Sequence, residues 1–253
     1  MEITFLGTGT SQGIPVIACN CETCLSKDTR DQRLRVALKI QINNTVIVID
    51  AGPDFRQQML SSKTENLDAL LITHEHNDHI AGLDDIRPFN FKHKKSIPVF
   101  TTGRVHELLK ERFPYIFSSN YPGIPQIQPK TITIDNSFFI QDIRVIPIEI
   151  MHGKLPILGF RIGKMAYLTD FKSISASEKE KLADLDLLIL SALHHESHHS
   201  HSNLKESIAF AQEVAATKTL FTHMSHHMGP HEATSKLLPD SIQLAFDGLN
   251  VVI

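Results

Sequence analysis

Short apolar runs rich in Ile, Val and Leu alternate with polar segments along this chain. Runs of this length and composition are typical of strands in a buried sheet. They predict strands at Ile3–Leu6, Val36–Ile42, Thr45–Ile49, Ala69–Ile72, Pro98–Thr101, Arg144–Ile150, Leu158–Ile162, Met165–Leu168, Leu187–Leu190, Thr219–Phe221 and Val251–Ile253. Helical periodicity predicts helices at Thr102–Phe113, Asn203–Thr217 and, more briefly, Ser177–Leu182. Because hairpins and crossovers are mixed, the pattern favours an α/β fold with mixed sheets.

No repeat, linker or break in composition divides the chain, so we expect a single domain over residues 1–253. The proline-rich stretch Phe113–Pro129 is predicted to be a surface loop within it. Apolar residues make up 42% and charged residues 21%, which is ordinary for a globular protein and argues against disorder. The net charge of −3 gives no general basic surface for duplex nucleic acid.

Three cysteines cannot form a closed set of disulfides, and no signal peptide or membrane-spanning apolar run is evident. We therefore expect a cytoplasmic protein without a membrane partner. Histidine is the unusual residue, since the chain has 15 His against 12 Gly.

The densest group of ligand-type side chains is His74-Glu75-His76-Asn77-Asp78-His79, which directly follows the predicted strand Ala69–Ile72. The carboxyl ends of strands are where α/β folds place their sites. In an extended segment, two histidines separated by one residue point to the same side and can reach one ion. Imidazole and carboxylate groups suit Zn, Mn or Fe. A solvated polar turn is the alternative, and four ligand-type residues in six favour the metal site.

Single polar residues follow three further predicted strands. His152, Asp170 and His223 each come at the end of an apolar run. Any one of them alone is more often a turn or cap residue than a ligand. Together with the histidine-rich segment they would complete a site for two metals, a common hydrolytic arrangement.

These motifs, with Ile49-Asp50-Ala51-Gly52 before them, resemble in order those of the metallo-β-lactamase superfamily of metal-dependent hydrolases. The resemblance spans nearly the whole chain and implies an αββα sandwich of two mixed sheets flanked by helices. It implies one metal held by His74, His76 and His152, and a second held by Asp78, His79 and His223. Asp170 would bridge the two metals, and Asp50 would orient the metal-bearing loop instead of binding metal.

A second constellation is formed by Cys19, Cys21 and Cys24. Three thiolates this close predict a structural zinc site that lacks its fourth ligand, with three incidental thiols as the alternative. The same cysteine spacing resembles the branch of PhnP-type phosphodiesterases, which act on phosphoribosyl cyclic phosphate. That resemblance implies His226 as the fourth ligand, with His227 as the adjacent competitor. The segments Phe5–Thr10 and Phe246–Gly248 also resemble this branch.

Five histidines lie between His194 and His201. Most of them fit a solvated polar loop, and His194 or His198 could support the site from behind. His201 lies at the entry to a predicted helix, where related phosphodiesterases place a catalytic histidine. The resemblance thus implies that His201 is the general acid or holds the phosphate. Arg87 and the Phe89–Lys95 segment could contact substrate or form an ordinary solvated surface.

The sequence therefore predicts a dinuclear metal-dependent phosphodiesterase that hydrolyses a cyclic or small phosphodiester with a metal-bridging hydroxide. His201 and Asp170 are its expected catalytic residues. The expected cofactors are two divalent metals, Zn or Mn, and one structural Zn. A small-molecule substrate is favoured over nucleic acid, and a homodimer is left open. Two alternatives are a tRNA 3′-processing endonuclease of the same fold and a non-catalytic metal-binding accessory protein resembling the pyrroloquinoline quinone biosynthesis protein.

Overall fold

The computed structural model describes residues 1–118 and 122–253. The strands of its first sheet are β1 (Glu2–Gly7), β2 (Ala37–Ile42), β3 (Thr45–Ile49), β4 (Ala69–Leu71), β5 (Ile97–Thr101), β6 (Ile127–Thr131) and β14 (Asn250–Val252). Those of the second sheet are β7 (Phe138–Ile140), β8 (Ile143–His152), β9 (Leu155–Ile162), β10 (Met165–Leu168), β11 (Leu187–Ser191), β12 (Lys218–Thr222) and β13 (Ile242–Leu244).

The helices are α1 (Phe55–Ser61), α2 (Asn77–Ile80), α3 (Arg87–His93), α4 (Gly103–Arg112), α5 (Pro114–Ser118), α6 (Ala176–Lys179), α7 (Leu204–Val214) and α8 (His231–Ser235). Single 3₁₀ turns lie at Thr29–Asp31, Leu83–Ile86, Glu180–Leu182 and His226–Met228. No helix within the described ranges is both long and apolar enough to cross a membrane.

Strand direction brings several strand ends to one edge. The first sheet has the order β14-β1-β2-β3-β4-β5-β6 and is parallel from β3 to β6. The second has the order β13-β12-β11-β10-β9-β8-β7 and is parallel from β10 to β13. Strands β8 and β10 are both antiparallel to β9, so they also run in the same direction.

The two sheets pack face to face, and the alternation within their strands shows how. In β3, Ile47 and Ile49 lie in the core between the sheets, whereas Val48 lies in the layer that packs against α1, α3 and α4. On the outer face of the second sheet, α7 contributes Leu204 and Ala211 to a separate apolar cluster. The predicted αββα sandwich is therefore confirmed.

The predicted surface loop at Phe113–Pro129 is wrong in part. The structure has α5 at Pro114–Ser118 and the strand β6 from Ile127, and residues 119–121 lie outside the described part of the chain. The sequence pattern did not predict strand β6. It is an edge strand with mostly exposed side chains and a proline in its middle, so it shows no apolar run. Edge strands are where a proline is tolerated, because its missing N–H faces away from the sheet.

Candidate active site and metal centre

The histidine-rich segment begins three residues after the last residue of β4 and turns into α2. His76 is the N-cap of that helix and has an extended backbone, so the chain alternates sides up to this point. His74 Nε2 and His76 Nδ1 lie 3.0 Å apart. The spacing of the two histidines therefore brings two ring nitrogens together, as the sequence predicts.

Asp170, which follows β10, lies between two groups of side chains. Its Oδ2 atom is 3.9 Å from both His74 Nε2 and His152 Nε2. Its Oδ1 atom is 3.4 Å from His79 Nε2 and 3.1 Å from His223 Nε2. One carboxylate thus presents a separate oxygen to each group of histidines.

Two sets of four side chains converge on this carboxylate. The first set is His74, His76, His152 and Asp170, and the second is Asp78, His79, Asp170 and His223. Within each set the ligand atoms all lie within 4.8 Å of one another. Two donors bound to one zinc ion at 2.0–2.2 Å are roughly 3–3.6 Å apart, so only small movements separate this geometry from coordination.

Hydrogen bonds within the described chain do not satisfy all of the ring nitrogens that face the centre. His152 Nδ1 donates to the carbonyl oxygen of Ser200 at 2.9 Å, which fixes the proton on Nδ1. The buried Nε2 atoms of His79 and His223 have no hydrogen-bond partner among the described residues. Buried polar atoms are rarely left alone, so an unpaired nitrogen in a carboxylate-rich pocket fits a cation. The arrangement suits divalent metals.

Asp50, at the end of β3, supports this centre from behind. Its buried Oδ2 atom accepts a hydrogen bond from His79 Nδ1 at 2.7 Å. The same carboxylate accepts from the backbone N–H of Thr73 at 2.9 Å and from its hydroxyl at 3.0 Å. The Thr73 hydroxyl in turn lies 2.9 Å from His74 Nδ1. Asp50 therefore orients one histidine of each set. It contacts His79 of the second set directly and His74 of the first set through Thr73. Thr73 was not among the predicted site residues, since a threonine before the motif carries no distinctive signal.

The electrostatics of the centre favour the ligand forms. Burial lowers the pKa of His74, and the nearby His79 ring lowers it further. Burial would raise the pKa of Asp170, but the rings of His223 and His79 hold it well below its usual value. His79 is the exception, because the three carboxylates around it outweigh burial and raise its pKa well above normal. Binding of a cation there would therefore displace a proton.

Three of the predicted site residues, each at the end of a strand, have left-handed backbones. The φ angles are +67° at Asp50, +51° at Asp170 and +57° at His223. Non-glycine residues in this region cost about 1–3 kcal/mol each and tend to cluster at functional sites. Seven other non-glycine residues in the described ranges also have positive φ angles, so the site contains three of the ten such positions.

His201 lies beside both sets. Its ring centroid is 4.4 Å from that of His152 and 5.1 Å from that of His223, and its Nδ1 atom is 4.0 Å from Asp170 Oδ2. Burial, and then the His223 ring, lower the pKa of His201 to about 2, so the ring is neutral near pH 7. His198 is 5.1 Å from His201 between ring centroids, and His194 is 6.0 Å from His198.

The cysteine segment forms a third group of possible ligands. Cys19, Cys21 and Cys24 place their Sγ atoms 3.2, 3.4 and 3.6 Å from Nδ1 of His226. Donors on a tetrahedral zinc with Zn–S near 2.3 Å and Zn–N near 2.0 Å are about 3.5 Å apart. The structure therefore brings His226, as the resemblance implied, to the three thiols.

Arg87 and the Phe89–Lys95 segment do not converge on this centre. Arg87 pairs with Asp84 at 2.6 Å, and Phe89 is buried. Lys95 bonds Asp68, which precedes β4, whereas the metal-type residues follow that strand. The basic end of α3 therefore lies at the opposite end of β4 from the candidate site.

Comparisons with known proteins support a family assignment. Residues 45–224 match the family described as "Beta-lactamase superfamily domain". An octanoyltransferase of Porphyromonas gingivalis is 39% identical over the whole chain, which covers 52% of that protein. The chain spans about half the length of the curated relatives it matches.

Solved structures show the same fold. A diphosphatase from the PhnP family is 39% identical, with a TM-score of 0.93 over all of this chain and 97% of that chain. Zn²⁺-bound PqqB from Methylobacterium extorquens is 17% identical, with a TM-score of 0.84 over the full length of both chains, and shares the fold. The resemblance drawn from the sequence motifs is therefore confirmed. The chain belongs to the β-lactamase superfamily and, within it, to the PhnP family.

Proposed function

We propose that this protein is a dinuclear metal-dependent phosphodiesterase that acts on a cyclic or otherwise small phosphodiester. The observation that carries the proposal is the position of Asp170, which offers one carboxylate oxygen to each of two converging ligand sets. Two ions held in this way clamp opposite sides of one reacting group, which is a recurring arrangement for phosphoryl chemistry. The 39% identity to a PhnP-family diphosphatase supports a phosphoryl substrate, without distinguishing a diester from a diphosphate.

The residues present divide the work between binding and positioning. His74, His76 and His152 would hold one divalent ion, Zn or Mn, and Asp78, His79 and His223 the other, with Asp170 shared. Such ions supply charge for the phosphoryl oxygens and lower the pKa of a bound water. Asp50 fixes the proton of His79 on Nδ1, so that Nε2 faces the centre.

His201 is the residue we assign to the leaving group or the phosphate. Its ring centroid lies 4.4 Å from that of His152, but His201 belongs to neither four-residue set. In the protein alone its ring is neutral, so it would donate an N–H hydrogen bond to a phosphate oxygen. The negative charge of a bound phosphodiester favours the protonated ring and would thus prepare it to act as a general acid.

We further propose that Cys19, Cys21, Cys24 and His226 hold one structural zinc ion. Three thiolates and one imidazole form a closed tetrahedral set, which leaves no open position for a substrate. The three cysteines are free thiols, and a thiolate site of this kind persists in a reducing compartment. This supports the proposed cytoplasmic location.

Asp170→Asn tests the proposal, because it keeps the shape of the side chain but removes the shared charge. Metal-loaded protein should hydrolyse bis(p-nitrophenyl) phosphate, and the variant should fall to the uncatalysed background. Asp186→Asn is the control, since Asp186 is at the other end of the second sheet and pairs only weakly with Lys164 at 3.4 Å. Full activity in the Asp170 variant would refute the assignment.

A substrate panel separates the alternatives. Cyclic and linear phosphodiesters, a dinucleoside diphosphate, pre-tRNA and an octanoyl thioester should be assayed side by side. Dominant cleavage of pre-tRNA would favour the nuclease, and dominant thioester turnover would favour acyl chemistry. Tight metal binding with no turnover of any of these substrates would favour the accessory protein.

A further inference from the structure

The metal-bearing segment has two faces, and only one of them points at the candidate ligands. His74, His76 and Asp78 contribute to the two ligand sets. The intervening residues Glu75 and Asn77 instead contact helix α4, where Glu75 pairs with Arg104. On the same helix, Arg112 donates from Nη1 to Oδ1 of Asn77. Helix α4 therefore holds the outer face of the segment that carries the ligands on its inner face.

Arg104 makes a second contact that Arg112 does not share. Its Nη2 atom donates to the carbonyl oxygen of Pro156 at 2.9 Å. Pro156 pairs with Met151 across the β8–β9 hairpin, one position from His152. A single guanidinium thus connects the two chain segments that supply all three histidines of the first ligand set.

The burial of Glu75 makes this pair different from an ordinary surface ion pair, which contributes little. The Glu75 side chain is only 12% exposed, against 38% for Arg104. Its Oε1 atom faces Arg104, and its buried Oε2 atom has no hydrogen-bond partner in the described part of the chain. Removing Arg104 would leave a mostly buried carboxylate without its counter-charge, directly between two candidate ligands.

We propose that Arg104 is a positioning residue that sets the geometry of the His74/His76/His152 metal site by bridging Glu75 and the β8–β9 hairpin. The proposal rests on the proposed function only for the presence of a metal at that site. Residues behind metal ligands typically change metal affinity by 10–100-fold when they are mutated. We expect an effect of that size on one of the two active-site ions.

Two titrations of metal-free protein test the role of Arg104. One follows Zn²⁺ binding by calorimetry, and the other follows Co²⁺ binding by visible absorption. In Arg104→Ala one active-site binding step should weaken 10–100-fold, and the Co²⁺ bands of that step should change. The second active-site step should stay within threefold of wild type. Arg104→Lys should recover little, because one ammonium group at the end of a flexible chain does not reproduce the planar two-way contact.

Three further variants separate positioning from general loss of stability. Glu75→Gln keeps the size of the side chain and should weaken the same step, and combining it with Arg104→Ala should add little. Arg112→Ala should have a smaller effect, since Arg112 does not reach the β8–β9 hairpin. Arg144→Ala is the control. Arg144 lies on the exposed face of β8, and its Nε atom donates to the hydroxyl of Ser137.

The outcomes are distinguishable from failure of the proposed function. Unchanged Zn²⁺ and Co²⁺ titrations in both Arg104→Ala and Glu75→Gln would overturn the inference, as would equal weakening of both steps or no metal binding by wild type at this site. Selective weakening of one step in a protein that hydrolyses no phosphodiester would support the inference and refute the proposed function.

Discussion

Replacing Asp50 by Asn tests how the candidate centre is built, because the amide has the same shape as the carboxylate but only one acceptor oxygen. Asp50 accepts from His79 Nδ1 through Oδ2 and from the backbone N–H of Thr73 through Oδ1. If the amide nitrogen faces His79, that ring must move its proton to Nε2, which then cannot bind a metal. If it faces Thr73 instead, a buried N–H loses its acceptor, at a cost of about 1–3 kcal/mol.

The expected change in folding stability caused by Asp50→Asn differs between metal-free and metal-loaded protein. Burial raises the pKa of Asp50, so the ionised carboxylate is costly in the metal-free fold and the neutral amide removes that cost. The lost hydrogen bond acts in the opposite direction, and we expect little net change without metal. With metal, a 10–100-fold loss of affinity removes about 1.4–2.7 kcal/mol of stabilisation. For a chain of this size that corresponds to a fall in Tm of roughly 3–10 °C.

Thermal unfolding with and without saturating Zn²⁺ or Mn²⁺ measures both quantities. Asp54→Asn is the matched control, because Asp54 also accepts from a backbone N–H, that of Arg35 at 2.8 Å, but belongs to neither ligand set. The expected result is a metal-dependent rise in Tm that is reduced only in the Asp50 variant. An equal rise in wild type and both variants would refute the role assigned to Asp50.

Three further predictions concern separate parts of the molecule. Gly52→Ala should destabilise the fold by more than about 2 kcal/mol in urea unfolding, because its Cβ would lie 2.0 Å from the backbone oxygen of Asp78, whereas Gly103→Ala meets only Thr131 at 3.7 Å and should be neutral. His231 has its pKa lowered to about 4 by burial and then by Arg33, so the neutral ring favours the fold above pH 6.5 and this contribution is lost as the pH falls from 6.5 towards 4. Wild type should therefore lose about 2 kcal/mol more than His231→Gln between pH 7 and pH 4.5, and parallel pH profiles would contradict this. In metal-free protein, the Cys24 backbone N–H and His226 hold the pKa of Cys21 near 6 and burial raises that of Cys24 to about 11, so peptide mapping at pH 7 should find Cys21 alkylated by iodoacetamide before Cys24 and protected by Zn²⁺.

Local patterns predicted those elements whose burial is regular along the chain. Strand β8 was predicted at Arg144–Ile150 and extends over Ile143–His152, because its apolar residues are buried on one face or the other along most of its length. Helix α7 has its boundary encoded in the sequence, where Asn203 and Glu206 form a capping box. The sequence pattern did not predict helix α1, because this helix has only seven residues and no side-chain cap. Its stability comes from packing of Phe55 and Met59 against the sheet, which no local pattern shows.

The same limit applies to the candidate site. Local sequence patterns indicate its ligand-type residues, but not the contacts between distant residues that orient them. The ligand-type residues were visible because each follows an apolar run, but their grouping came from the family resemblance. The contacts that orient them join residues far apart in sequence, such as Asp50 with Thr73 and His152 with Ser200. No spacing rule connects such pairs, since their distance is set by which strands lie side by side.

The left-handed backbones at Asp50, Asp170 and His223 show how the fold supports the residues of the candidate site. Glycine would be the local choice at each position, yet each carries a side chain that the centre uses. The chain is fixed immediately after each of them by one hydrogen bond: Ala51 N–H to the oxygen of His79, Phe171 N–H to Ser191 Oγ, and Met224 N–H to the oxygen of Thr8. The strain is therefore held between a buried strand on one side and an anchored N–H on the other. Each of these residues therefore depends on both anchors, which offset its cost in free energy.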